Sequence, residues 1–344
     1  MYRLFENLVD PFQTNESGTP PSTLLSFYKE MMRPFKRVAY WLLFMGMAVA
    51  IFEAAMIWYA GRLIDIMDST GPAAFWTTHK TELIVAIFAV MVLRPILIGA
   101  HHILLEPALA GNMQERVRWR AHRHMLGQSM GFFQNDFAGR LSNRVMKLAE
   151  ATEDSMYMVF EGIWYAATYV VTAIILTWGI DGRIAIPLGL WLAAYLAYTR
   201  WTAIRVAQAS EKWSDARSMV TGRIVDAYAN IETVKLFSEG PEEERYVLFA
   251  LKRLRLRFQR FLRLMVELSF SLNVINGILF AGVIGSAVYL WILGETTVGE
   301  VAAITALVVR LNGMSGWILW VTIRLFENAG TVREGLRSVS VDHA

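Results

Sequence analysis

The chain has 344 residues, 55% of them hydrophobic and 18% charged, with a net charge of +3, a mean hydropathy of +0.37 and no cysteine. Soluble domains average about 45–50% apolar and about 25% charged residues, so this composition points to a membrane protein and excludes a disordered, collagen-like or disulfide-stapled chain. Without cysteine there is no thiolate nucleophile, no cysteine-ligated zinc and no iron–sulfur cluster.

Residues 1–22 are expected as a flexible N-terminal segment, broken by Pro11, Gly18, Pro20 and Pro21. The first residues lack the apolar core of a signal peptide, so no cleaved leader is expected. Residues 23–37 predict an interfacial elbow helix, with Leu24, Phe27, Tyr28, Met31 and Phe35 in an amphipathic pattern that ends on Arg33, Lys36 and Arg37. Pro34 separates that helix from the first apolar stretch.

A hydrocarbon layer of about 30 Å is crossed by roughly 20 apolar helical residues. Six stretches meet or approach this length: Val38–Ala60, Leu83–Leu105, Ile163–Ile180, Ile184–Ala203, Met265–Leu293 and Val298–Trp320. The fourth is the weakest, because Arg200 interrupts its far end. The third and fourth join through a tight Asp181-Gly182 turn, and the fifth and sixth through Gly294–Thr297. By contrast, the connections 106–162 and 204–264 are long.

Lysine and arginine orient these spans. Five precede the first span, seven lie in 106–162, twelve in 204–264 and three after Trp320, against Arg62, Lys80 and Arg183 on the other side. The positive-inside rule then places both termini and both long connections in the cytoplasm of a multi-pass protein of the bacterial inner (plasma) membrane. Gln114–Leu126 and Ser210–Phe237 contain no proline, and the second carries Val220, Ile224, Ala227, Ile231, Val234 and Leu236 near helical spacing. Continued helices of about 20–25 residues reach roughly 30–35 Å past the membrane. The fold class is therefore an all-α membrane protein: six transmembrane helices over 38–323 with long cytoplasmic helical extensions, ending in the segment 324–344.

Three passages resemble the transmembrane domain of ATP-binding-cassette (ABC) exporter half-transporters. Phe132-Phe133-Gln134-Asn135-Asp136-Phe137-Ala138-Gly139-Arg140 with Leu141-Ser142-Asn143-Arg144 is similar to the family's first intracellular loop. Gly222-Arg223-Ile224-Val225-Asp226 with Asn230–Phe237 is similar to the second, and Thr297-Val298-Gly299-Glu300 to the start of the last helix. The wording of the second passage and the Arg94-Pro95 step most resemble bacterial multidrug-type members. The resemblance runs from about Pro20 to the end of the chain.

It implies short coupling helices at the hairpin tips, near Met130–Ala138 and Thr233–Pro241, that dock on nucleotide-binding domains. The residues it points to are Phe132, Phe133, Asn135, Asp136, Gly139, Arg140, Lys235, Phe237, Ser238 and Glu239. It also implies a second copy or a paralogue as partner, and 324–344 as a linker toward a nucleotide-binding domain. No Gly-x-x-x-x-Gly-Lys-[Ser/Thr] phosphate loop occurs in the sequence, so ATP and Mg2+ are expected on an associated or missing domain, with no cofactor and no catalytic residue in this chain.

Charged groups in hydrocarbon are costly and turn toward the bundle interior or an aqueous cavity. Candidate cavity-lining residues are Glu53, Arg94, His101, Asn273, Asn276, Arg310 and Asn312, with His102, Glu161 and Glu267 beside them. Interhelical pairing, for example of Glu53 with Arg94, is the alternative use of the same side chains. Pro95 predicts a kink in the second span, and Gly46, Ala50 and Ala54 form a small-residue ridge for close helix packing. Tryptophans at span ends fit interfacial anchoring as well as drug binding. His122-Arg123-His124 lacks a third ligand for a metal, and the basic run Lys252–Arg263 suits anionic lipid headgroups and not nucleic acid.

The function these features imply is the permease part of an ATP-driven exporter that moves an amphipathic or drug-like substrate by alternating access. The alternatives are a proton-driven, ATPase-free transporter of the same fold (peptide-type) and a non-transporting membrane scaffold.

Overall fold

Backbone polar groups inside hydrocarbon must be satisfied within the chain, and this chain does so with helices almost throughout. The computed structural model describes residues 2–13, 18–134, 138–237 and 240–341, and among them no strand occurs. In chain order the helices are α1 (Tyr2–Glu6), α2 (Leu24–Met31), α3 (Lys36–Phe88), α4 (Arg94–Ile103), α5 (Gly111–Leu126), α6 (Met130–Gln134) and α7 (Ala138–Tyr157). They continue with α8 (Tyr165–Ile180), α9 (Gly182–Ala229), α10 (Ile231–Phe237), α11 (Gly240–Leu279), α12 (Gly285–Ile292) and α13 (Val298–Val339). The chain divides into two units, Met1–Gly189 with Leu279–Ala344, and Leu190–Ile278.

Among the described residues four helical runs are long and apolar enough to cross a membrane: Lys36–Leu126, Leu141–Ile180, Glu244–Ile292 and Val298–Val339. The six apolar stretches are nevertheless helical, and two reasons account for the smaller number. Lys36–Leu126 holds both the first and the second stretch. The fourth stretch, in α9, carries Pro187 and Arg200, follows directly on Arg183, and falls outside the four runs.

The first two stretches form an antiparallel hairpin that turns at Gly71, whose φ of 68° and ψ of 165° lie outside the helical region. Glycine reaches this backbone conformation without a Cβ clash, and Pro72 then starts the returning helix, where its missing N–H costs nothing. In register along the hairpin, Gly46 meets His101, Glu53 meets Arg94, and Arg62 meets Glu82.

Proline leaves a second mark. The expected break at Pro95 takes the form of a π turn, Ala89–Leu93, immediately before it, and a second π turn, Leu104–Ala110, contains Pro107. A widened turn makes room where the i→i−4 ladder loses a donor. Two more π turns occur, Met158–Trp164 leading into the third stretch and Phe280–Ile284 inside the fifth.

One apolar core joins α2, the start of α3, α5, α7 and the end of α13. Phe27, Met31, Phe35, Leu42, Leu109, Met113, Leu148, Val332 and Leu336 are buried there. Val9 is also in it, the Asn112 amide donates to the Glu6 carbonyl at 2.8 Å, and Arg120 donates to the Gly18 carbonyl at 2.8 Å. Described residues of 1–22, the segment expected to be flexible, thus make hydrogen bonds to α5. The expected linker 324–344 begins as the last turns of α13, held to α7 by Arg324 and Asn328 donating to Asp154 at 3.0 and 2.9 Å.

The second unit is built on α9 and α11 running antiparallel. Trp191 Nε1 donates to Asn276 Oδ1 at 3.2 Å, Trp213 stacks on Phe261, and the Arg223 guanidinium lies over the Tyr246 ring.

Candidate functional site

Within the first unit α3, α4, the π turn Met158–Trp164, α8 and α13 line an open cavity of about 690 Å³. Its walls carry Glu53, Arg94, His101, His102, Glu161, Tyr165, Arg310, Met314 and Trp317, with Val49, Ile98 and Val309 between them. Gly46 stands at one wall, where a Cβ would come within 3.2 Å of the Trp164 ring and 3.4 Å of His101. Pockets of about 300–1,000 Å³ hold drug-sized ligands, so the volume suits a small organic molecule.

The polar groups are arranged in pairs. Arg94 Nε donates to Glu53 Oε1 at 2.7 Å across the α3–α4 hairpin. His101 Nε2 lies 2.9 Å from Glu161 Oε2, joining α4 to the third stretch. Its Nδ1 is buried and has no hydrogen-bond partner among the described residues. Trp164 Nε1 donates to the Leu43 carbonyl at 2.8 Å, which fixes the indole against the hairpin. The Arg310 guanidinium reaches the Tyr165 hydroxyl at 3.4 Å.

Of the residues the sequence nominated, Glu53, Arg94, His101 and Arg310 are brought together here. Asn273 and Asn276 lie in the second unit, where Asn273 Nδ2 donates to the Ser269 carbonyl at 2.8 Å and Asn276 accepts from Trp191. Asn312 is on α13, and its carbonyl accepts from the Ser315 hydroxyl. Glu53 and Arg94 are paired with each other and also line the cavity. The aromatic members, Tyr165 and Trp317, carry no sequence signal of their own because they sit in apolar helices like many other aromatics.

At the first hairpin turn α6 is a single short helix. Phe132 packs on the core, Phe133 remains exposed, and their rings meet edge-on with centroids 5.4 Å apart. Gly139 and Arg140 fall in the first turn of α7, while Asn135 and Asp136 lie outside the described residues. At the second turn α10 begins after a break at Asn230 and exposes Ile231, Lys235 and Leu236, the last at 76%. Phe237 ends α10, and Ser238 and Glu239 lie outside the described residues. Both hairpins therefore carry a short helix at the turn, with exposed apolar side chains. Among the described residues no cluster of histidine, aspartate and glutamate is suited to a metal.

The sequence matches the ABC transporter transmembrane region model over residues 40–314. The chain belongs to this family. It is 31% identical over 346 residues to a Haemophilus influenzae protein named "Uncharacterized ABC transporter ATP-binding protein", a match covering 100% of this chain and 56% of that protein. Among solved structures it is similar to that of a bacterial Atm1-family ABC exporter with ATP bound, with a TM-score of 0.70 and 17% identity over 90% of this chain and 54% of the other. At that identity the likeness establishes the ABC exporter transmembrane fold and nothing finer. The chain spans little more than half the length of both proteins.

Proposed function

We propose that the chain is the membrane-spanning permease of an ATP-driven ABC exporter, carrying an amphipathic or drug-like substrate by alternating access. The observation that carries this reading is the cavity itself, a charged and aromatic chamber inside a bundle of apolar helices. Keeping Glu53, Arg94, Glu161 and Arg310 among such helices is costly unless a polar ligand or water is to be received there. The short helices α6 and α10 are the docking points for a nucleotide-binding domain, which supplies ATP and Mg2+ chemistry that this chain has no residues for. A second copy or a paralogue completes the permease. The excess of lysine and arginine supports a cytoplasmic position for both hairpin turns and both termini, in a protein of the bacterial inner membrane.

The competing reading is a proton-driven, ATPase-free transporter of the same fold. The His101–Glu161 pair favours it, because two titratable groups in contact on separate helices can take up and release a proton with movement. Proteoliposomes separate the two. With a nucleotide-binding domain present, on the same or a separate chain, flux of a fluorescent amphipathic probe is expected to require ATP and to ignore an imposed pH gradient. Flux that follows the pH gradient and persists without ATP overturns the ATP-driven reading.

A further inference from the structure

The cavity's charged groups are not all paired. Glu53 is paired with Arg94 at 2.7 Å, and Glu161 is hydrogen-bonded to His101 at 2.9 Å. Arg310, in α13, is left reaching the neutral Tyr165 hydroxyl at 3.4 Å, with no carboxylate within ion-pair distance among the described residues. That contact is long for a charge-assisted hydrogen bond, which shortens to about 2.7–2.9 Å when the acceptor is ionised. A guanidinium has five N–H donors, so a 3.4 Å contact to one hydroxyl leaves most of its capacity unused. Trp317 and Tyr165 offer aromatic surface beside it, and Val49, Ile98 and Met314 offer aliphatic surface.

We propose that this cavity receives an amphipathic organic anion, its carboxylate, sulfonate or phosphate on Arg310 and its apolar body against Trp317 and Tyr165. The assignment rests on the reading of the cavity as the transported substrate's site. A cationic ligand finds both cavity carboxylates already hydrogen-bonded, Glu53 to Arg94 and Glu161 to His101, and meets Arg310 as a like charge. A neutral ligand can use the aromatic wall and leaves the guanidinium without an ionised partner. Of the three, only the anion gives Arg310 an ionised partner. The planar fork of arginine also matches a carboxylate or phosphate edge in a way a lysine ammonium does not.

The test uses the full chain in lipid nanodiscs and three fluorescent probes of one size: dansyl-leucine (anion), dansyl-leucinamide (neutral) and dansylcadaverine (cation). Saturable binding is read as fluorescence enhancement above empty nanodiscs at about pH 7.5. The anion is expected to bind at least about tenfold more tightly than the amide, the ratio a charged hydrogen bond supplies, and the cation most weakly. Arg310→Gln is expected to bring the anion down to the amide's affinity while the amide's own binding is unchanged, which also shows that the variant is folded. Arg310→Lys is expected to keep an intermediate preference. Equal binding of anion and amide, preference for the cation, or an anion preference that survives Arg310→Gln overturns the anion assignment and leaves the permease reading standing. If none of the probes binds saturably, the anion assignment and the cavity's role as the substrate site both fall.

Discussion

Gly61 of α3 and Gly299 of α13 cross at backbone contact. A Cβ on Gly61 would collide with the Gly299 carbonyl oxygen, and one on Gly299 with the Gly61 carbonyl oxygen and the Asp65 carboxylate. Neither residue has positive φ, so here glycine serves space and not backbone freedom. One turn along α3, Asp65 accepts from the Gly299 N–H at 2.7 Å and from the Thr297 hydroxyl at 2.6 Å. Thr297 and Glu300 meanwhile close a capping box over the start of α13. The first and last membrane helices are thus locked together at one point, and that point fixes where α13, with Arg310 on it, enters the cavity wall.

Gly61→Ala or Gly299→Ala forces the two backbones apart. Overpacking at such sites costs about 1–3 kcal/mol, and the Asp65 cap is stretched with it. Thermal unfolding of the detergent-solubilised protein is expected to fall by several degrees for either variant. Gly99→Ala, where a Cβ meets nothing within 4 Å, serves as the control and is expected to leave the midpoint unchanged. Equal midpoints for all three variants would show that the two backbones cross with room to spare.

Glu53 and Arg94 are expected to behave as one unit. Replacing either alone by glutamine leaves a charge on the cavity wall without its partner, at a cost of about 1–3 kcal/mol. The double variant removes both charges and is expected to lose clearly less than the two single losses added, a coupling that a double-mutant cycle on unfolding midpoints measures. Additive losses would mean that the two side chains are neighbours without being energetic partners.

The spans were legible because a bilayer imposes a length and a composition that hydropathy reads directly. The hairpin register was legible in principle as well: Gly71-Pro72 is a turn signal, and a turn there places Glu53 opposite Arg94. What hydropathy missed is the continuation of α3 beyond Ala60, where Asp65, Asp68, Ser69 and Thr70 look like loop yet remain helical. The π turns were hidden too, since a 3.6-residue period cannot reveal an inserted residue. For the cavity, the cost of burying charge marked Glu53, Arg94, His101 and Arg310. The same cost marked Asn273 and Asn276, because it says that a polar group needs a partner and not whether that partner is a ligand or Trp191.

Coupling to an ATPase domain can be probed at α10 without touching the core. Leu236 is exposed, so Leu236→Ala removes apolar surface with an expected change in stability inside about 0.5 kcal/mol. If α10 docks on a nucleotide-binding domain, ATP-dependent flux in proteoliposomes is expected to fall severalfold while the unfolding midpoint stays. Unchanged flux for both Leu236→Ala and Lys235→Glu would remove α10 from the coupling path.

Glu153 makes the stability of α7 depend on pH in a defined direction. It lies before the third membrane stretch, half-buried, and burial followed by the negative charges of Asp154, Glu106 and Glu150 pushes its carboxyl from the ordinary 4.5 up to about 7. The folded protein therefore holds a proton between those values that the unfolded chain releases. Proton binding favours the fold in full below pH 4.5, and this contribution is lost as pH rises toward and through about 7. Wild-type protein is expected to lose thermal stability between about pH 5 and about pH 8 from this group. Glu153→Gln, fixed in the neutral form, is expected to flatten that part of the profile and to be the more stable of the two at the alkaline end. Parallel profiles for wild type and variant would show that Glu153 does not carry this pH dependence.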